Sequence, residues 1–539
     1  MYVRTKVFRN KDGTTRTYLQ LVTGERVNGK VRQKVVANLG RLEELQGGEL
    51  DRLIEALARY SKNQWIKEKA REVAARWAKA WGPALIFRRL WVELGLEAIF
   101  RRLLEGTAIE TDFDEAVFAM VLNRLCDPMS KLAMNEWIRT VYRPEWGKLE
   151  LHHFYRALDY LSDHKEAIEN VLYARVCDLF NLELDLVLWD TTTTYFEGRA
   201  AESLAEYGFS KDKRPDRVQI MIGVLMSRDG FPIAHEVFPG NTAEVETFRE
   251  ILRQVRERFK LKRVILVVDR GMVSEKVLRE IEGANLEYIV GVRMHKAKVA
   301  REVLSRGGRY HEAASNLKVK EVVHQGVRYV ICLNPEEEEH DRLVREEAVA
   351  KLQEKLSRGK VKQLIGNSAY RRYLKLNGSQ VAIDEHALQE EARYDGKYLL
   401  RTNTSLSPSE VATAYKSLWQ VERTFRELKS GLDLRPIYHW TEKRIRGHVM
   451  MCFLALVLEM VLRRKVKEAG REVRYHDLLL HISQLVAVEF ELDGARYLAR
   501  TELVGHAGLA FKAVGMRPPL HVTPLPRPFA DPQEGCCGT

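Results

Sequence analysis

Three carboxylates are spaced in the sequence as a catalytic set would be: Asp190, Asp269 and Glu422. Asp190 closes the apolar run LELDLVLWD that starts at Leu182, and Asp269 closes KRVILVVDRG. Each run is short, continuous and apolar, the pattern of a strand buried on both faces. If two such strands lie parallel at the centre of a sheet, their C-terminal ends bring both acids to one edge. Acids gathered there repel unless neutralised, and hard divalent cations are the natural partners of oxygen ligands. Two Mg2+ ions, for which Mn2+ can substitute, activate a water or a 3′-hydroxyl and stabilise the leaving oxygen of a phosphodiester. Taken singly, each Asp also reads as a turn-former at a strand end.

The third acid sits in YKSLWQVERTFRELK, residues 415–429. Read as one helix at about 100° per residue, this stretch puts Leu418, Val421, Phe425 and Leu428 on an apolar stripe. Tyr415, Trp419, Glu422, Arg426 and Lys429 fall on a second stripe beside it. The first stripe anchors the helix in a core, and the second presents a carboxylate among cations and aromatics. Tyr415, Arg426 and Lys429 are then placed to hold a phosphate backbone. Taken alone, the stretch also reads as an amphipathic surface helix laced with ion pairs.

The elements that must position these groups follow from the pattern along the chain. The run TTRTYLQLVTGERVNGKVRQKVVANLG alternates as two strands about an Asn28-Gly29 turn, a small basic β unit within residues 1–50. Residues 51–180 show helix-period apolar positions, with Trp65, Trp77, Trp81 and Trp91 interleaved among cations. Residues 181–295 read as strand, hairpin at Asp229-Gly230, helix from about 242 capped by Thr242, strand, helix from Ser274, strand. The interval to Glu422 is too long for a loop in a compact domain, so residues 296–395 read as an inserted subdomain. The core resumes over 396–515 with the Glu422 helix and an apolar helix at about 445–465, and 516–539 is a Pro-rich, flexible tail. The class is α/β.

Composition narrows the partners. The chain of 539 residues carries 87 Lys and Arg against 75 Asp and Glu, a net +12 that favours a polyanion such as DNA. Its six cysteines lack metal-ligand spacing, which points to a reducing compartment. The start lacks an apolar signal segment, and the run 449–462 is broken by Glu459 and short of a bilayer span, so a cytoplasmic, nucleoid-associated protein without membrane partners is expected. There is no Gly-rich phosphate loop ending in Gly-Lys-Ser or Gly-Lys-Thr, no Gly-x-Ser-x-Gly and no His-Glu-x-x-His. Arg444, Arg446 and His448 suggest a tyrosine recombinase, but the rest of that constellation is missing.

With these residues in view, the sequence resembles the DDE transposases of bacterial insertion sequences, in the group named for a Tyr-x2-Arg-x3-Glu-x6-Lys signature. Tyr415, Glu422 and Lys429 match that signature, and Leu418 stands where its arginine would be. The likeness extends to LVLWDTTTTYFEG, the GFSKDKRPD loop, EVFPGNTAEVETF, VVDRGMVS and LRPIYHWTEKRIRGHV. It implies an RNase H-like catalytic core interrupted by a largely β insertion before the glutamate, with a small N-terminal β unit and a helical region. It also implies cut-and-paste transposition by a homodimer on the terminal inverted repeats of its own element and on target DNA. In such relatives a DNA hairpin forms at the element end, where Trp419 either stacks on a flipped base or packs beneath the active site. The competing reading is a non-catalytic DNA-end-binding protein derived from a transposase.

Overall fold

The computed structural model describes residues 2–526 except 11–13, 28–29, 46–48, 50–51, 53–73, 108–111, 181–184, 199, 259–263, 270–273, 295–297, 358–372, 378–379 and 493–494. The described chain falls into two compact units. The first takes in Met1–Ala78, Ala487–Arg500 and Leu520–Thr539, and the second Lys79–Val486 and Thr501–Pro519.

In the first unit, β1 (Tyr2–Arg9), β2 (Thr15–Val27) and β3 (Lys30–Arg41) form an antiparallel meander. Val27 pairs with Lys30 across the expected hairpin, whose turn residues 28–29 lie outside the described residues. The stretch Ala74–Ala80, read from sequence as helical, is instead a strand, β4.

The second unit is built on a nine-stranded sheet. Its strands are β5 (Leu186–Tyr195), β6 (Gln219–Ser227), β7 (Pro232–Pro239), β8 (Ile265–Val268), β9 (Glu287–Val292), β10 (His311–Ala314), β11 (Leu317–His324), β12 (Val327–Leu333) and β15 (Lys397–Thr402). A separate pair, β13 (Leu374–Asn377) and β14 (Gln380–Ile383), lies outside it. The order is β10-β11-β12-β15-β9-β8-β5-β6-β7. The β6–β7 hairpin turns at Gly230, whose φ of 84° suits a residue without a side chain. β5 pairs parallel with β8, and β8 parallel with β9.

Two-sided burial explains why these strands read as unbroken apolar runs. Leu186 and Leu188 of β5 enter one core and Val187 and Trp189 the other. β8 does the same, with Ile265 and Val267 on the first side and Leu266 and Val268 on the second. The second core is covered by helices Glu244–Arg253 and Glu275–Gly283 through Phe248, Ile251, Val277 and Ile281. The latter starts just after Ser274, whose side chain caps it by accepting from Val277 N. The former starts one residue later than expected, with Ala243 rather than Thr242 at the N-cap.

Among the described residues of 296–395, the strands β10, β11 and β12 do not form a sheet of their own. They pair onward through β15 to β9, so they widen the central sheet. The described residues of this interval also include the helices Pro335–Ser357 and Glu385–Ala392.

On the other face, the helix Glu442–Glu468 packs against Leu151–Asp163 and Phe113–Cys126. It is long and apolar enough to cross a membrane, yet 89% of its most apolar window is buried inside the protein. In the expected tail, β18 (Val522–Pro524) pairs with β17 (Ala495–Arg500), which pairs with β16 (Val486–Leu492) and through it reaches β4.

The central helix can approach Leu151–Asp163 closely because Gly447 has no side chain: a Cβ there would lie 1.9 Å from the Leu158 carbonyl oxygen. Gly447→Ala is therefore expected to force the helices apart and cost about 1–3 kcal/mol. Thermal denaturation would show it as a lowered Tm, and an unchanged Tm would contradict the packing described.

Candidate active site

The register of β5 and β8 sets the site. Trp189 is paired with Val268, so Asp190 and Asp269 follow one residue on in adjacent parallel strands. By the two-residue period, both carboxylates take the side of Leu188 and Val267, which share a core with Leu418, Val421 and Phe425 of the glutamate segment. Asp190 is not the end of its strand, however. The β-branched run Thr191–Thr194 carries β5 on to Tyr195 along β6, beyond the point where β8 stops.

The segment 415–429 is not a single regular helix. It is a helix Pro408–Lys416, a tightened turn at Ser417 and Leu418, a helix Trp419–Arg426, and a π-turn Glu427–Gly431. At the tight turn Leu418 N donates to Tyr415 O and Val421 N to Leu418 O, three residues apart rather than four. Ser417 Oγ turns back onto Thr413 O, the habit that makes serine an indifferent helix former. Leu418, Val421, Phe425 and Leu428 are buried as the apolar stripe requires, each at roughly 1.5–3 kcal/mol if fully buried. Leu418, in the signature arginine position, is thus a packing residue.

Asp190, Asp269, Tyr415, Trp419 and Glu422 line one cleft of about 440 Å3. Tyr415 Oη donates to Asp269 Oδ1 at 2.8 Å, and its ring stacks on Tyr398. Trp419 is 51% exposed at the rim, so it does not pack beneath the site. Arg426 and Lys429 do not line the cleft. Arg426 is exposed, whereas Lys429 turns to Asp212 at 2.7 Å, where Arg435 also pairs. Burial pulls the Lys429 ammonium below its ordinary pKa, and Asp212 partly restores it. The two irregular turns take Lys429 off the expected stripe.

One residue of the site lies within the family-like GFSKDKRPD loop without being singled out there. Lys211, in the loop between β5 and β6, donates to Thr191 O at 2.6 Å and stands 3.7 Å from Asp190 and 3.3 Å from Glu244. A single lysine in a basic loop has no spacing to mark it. Asp190 is raised to about 6 by burial, with Lys211 and the Thr191 amide opposing and Asp269 and Glu244 adding to the rise.

The donor set suits a hard cation in kind: three carboxylates on one cleft, two of them neighbours in register. Among the described residues, no three His, Cys, Asp or Glu side chains already converge at metal-binding distance. The recombinase alternative finds no support, because Arg444 is engaged with Asp159 and Tyr155, Arg446 with Glu442 and Val237 O, and His448 is buried.

Comparison with known proteins adds a family. The family described as transposase DDE domain matches residues 184–458, and the IS1634 family transposase N-terminal domain matches residues 3–71. No curated protein sequence matches. Solved structures with some likeness include a Mos1 transposase paired-end complex with left transposon end, 17% identical over 36% of this chain and 57% of that one, with a TM-score of 0.15. A Mos1 mariner paired-end complex with Mn is 12% identical over 38% of this chain and 76% of that one, at 0.14. A pre-cleavage Mos1 transpososome is 14% identical over 38% and 60%, at 0.15.

The raised Asp190 carboxyl carries a stability cost with a definite sign. The folded state holds its proton more tightly than the unfolded chain, so stability is fullest below the ordinary value of 3.8 and is lost as pH rises to about 6. The shift corresponds to about 3 kcal/mol. Asp190→Asn is expected to raise Tm at pH 7.5 by removing this cost, with little effect at pH 4. Equal melting shifts at both pH values would contradict it.

Proposed function

Starting from the fact that this chain belongs to the insertion-sequence transposases with a DDE domain, we propose that it cuts and joins DNA at the ends of its own element through Asp190, Asp269 and Glu422. The observation that carries this reading is the parallel register of β5 and β8, which sets the two aspartates side by side in the cleft that Glu422 also lines. The antiparallel run β7-β6-β5 followed by parallel β8 and β9 supports an RNase H-like core.

In this reading the three carboxylates hold two Mg2+ ions, or Mn2+, which when bound supply activation of the attacking oxygen and stabilisation of the leaving one. The chain's own residues prepare the site. Tyr415 orients Asp269 by its hydrogen bond, and Lys211 offsets the charge of Asp190 and Glu244 while no cation is present. Burial of Asp190 strengthens its hold on a cation because little water competes there. Arg426 contacts phosphate from outside the cleft. Lys429 acts through Asp212, fixing the loop that carries Lys211. A homodimer acting on paired ends, cut-and-paste chemistry and a hairpin intermediate with Trp419 against an unstacked base complete the proposal. The half-exposed ring at the cleft rim supports the last of these.

The test is cleavage of a plasmid carrying the DNA that flanks this gene. The intact protein is expected to cut at both flanks in Mg2+ or Mn2+. Glu422→Gln should lower the rate on the order of 10³-fold, the equivalent of several kcal/mol of lost charge stabilisation. Tight binding without cutting by either protein would favour a non-catalytic end-binding role.

A further inference from the structure

A second cleft, of about 280 Å3, lies beyond Trp419 from the catalytic one, and the indole lines both. Arg423 lines it from the glutamate helix, one residue past Glu422. Arg463, Arg464 and Lys467 line it from the last turns of Glu442–Glu468, and Arg471 from just past Gly470, whose φ of 94° ends that helix. Arg463 pairs with Glu459 and Arg464 with Glu468. Arg423 interacts electrostatically with Glu459, whereas Lys467 and Arg471 have no ion-pair partner among the described residues and are exposed.

The lining also carries Asp229, Glu427, Glu459 and Glu472. Glu459 is fully buried, and burial beside Glu427 holds its carboxyl well above the usual range. Five cations line the trough against these four acids, so it is cationic on balance. Its cations are strung along two helices instead of converging on one point. A free phosphate wants convergence, whereas a backbone with a charge on every nucleotide suits a string. An aromatic at the mouth adds a face for a base.

We propose that this trough seats the phosphate backbone of the single DNA strand that leads into the catalytic cleft past Trp419. The proposal rests on the transposase reading above and adds a binding surface to it that needs no metal.

The probe is a fluorescent duplex of the element end continued by a single-stranded flank, compared with the same duplex trimmed flush. Binding is followed by anisotropy without metal at several salt concentrations. The variant Lys467→Ala with Arg471→Ala changes two exposed side chains outside the catalytic cleft, and an unchanged Tm would show that it folds. Each phosphate neutralised on a single strand adds roughly 0.7 to the salt slope, so without these two cations the extended DNA should bind with a slope shallower by about 1.4 and the flush DNA with the same slope as before. An unchanged slope on the extended DNA overturns the proposal, and so does an equal reduction on both. Asp190-dependent cleavage, measured beside it, separates the two claims. Cleavage with an unchanged slope removes the trough alone, and a slope change without cleavage removes the catalytic reading.

Discussion

The pairing of β5 with β8 is the constraint on which the site depends. Both strands are buried on two faces, so each alternate residue is committed to one core or the other. A slip of one residue would send every side chain to the opposite face, and Asp190 with it. The apolar residues thus hold the acids in place more firmly than any contact the acids make themselves. β8 stops where β5 runs on, and that difference in length opens the edge on which the carboxylates sit.

The same arrangement sets charge against stability. Two neighbouring carboxylates, one of them largely buried, are costly in a protein without a cation to offset them. Lys211 and Tyr415 moderate that cost from opposite sides, one by charge at Asp190 and one by a hydrogen bond at Asp269. Neither removes it. A site whose ligands are uneasy when empty gains more from binding than one already satisfied.

Much of this is legible in the sequence because it rests on local pattern. The apolar runs before Asp190 and Asp269, the Asp229-Gly230 turn and the buried helix around 445–465 each announce themselves by period or by turn chemistry. What local pattern does not carry depends on distant partners. AARWAKA has the composition of a helix, yet it pairs as β4 because β16 offers it a sheet edge. The strands of 296–395 read as a separate domain because no periodicity tells which edge a strand will join. Lys429 keeps its expected type and spacing, but two irregular turns and the buried Asp212 claim it. Lys211 meets Asp190 only because the loop between β5 and β6 folds back over the strand.

The four-stranded sheet of the first unit has a consequence for how the chain is made. β4 ends at Ala80, but its neighbour β16 begins at Val486 and β18 comes later still. A ribosome therefore makes the catalytic unit before that sheet can close, and β4 must wait through its synthesis. Prematurely terminated products would carry Asp190 and Asp269 while lacking this sheet.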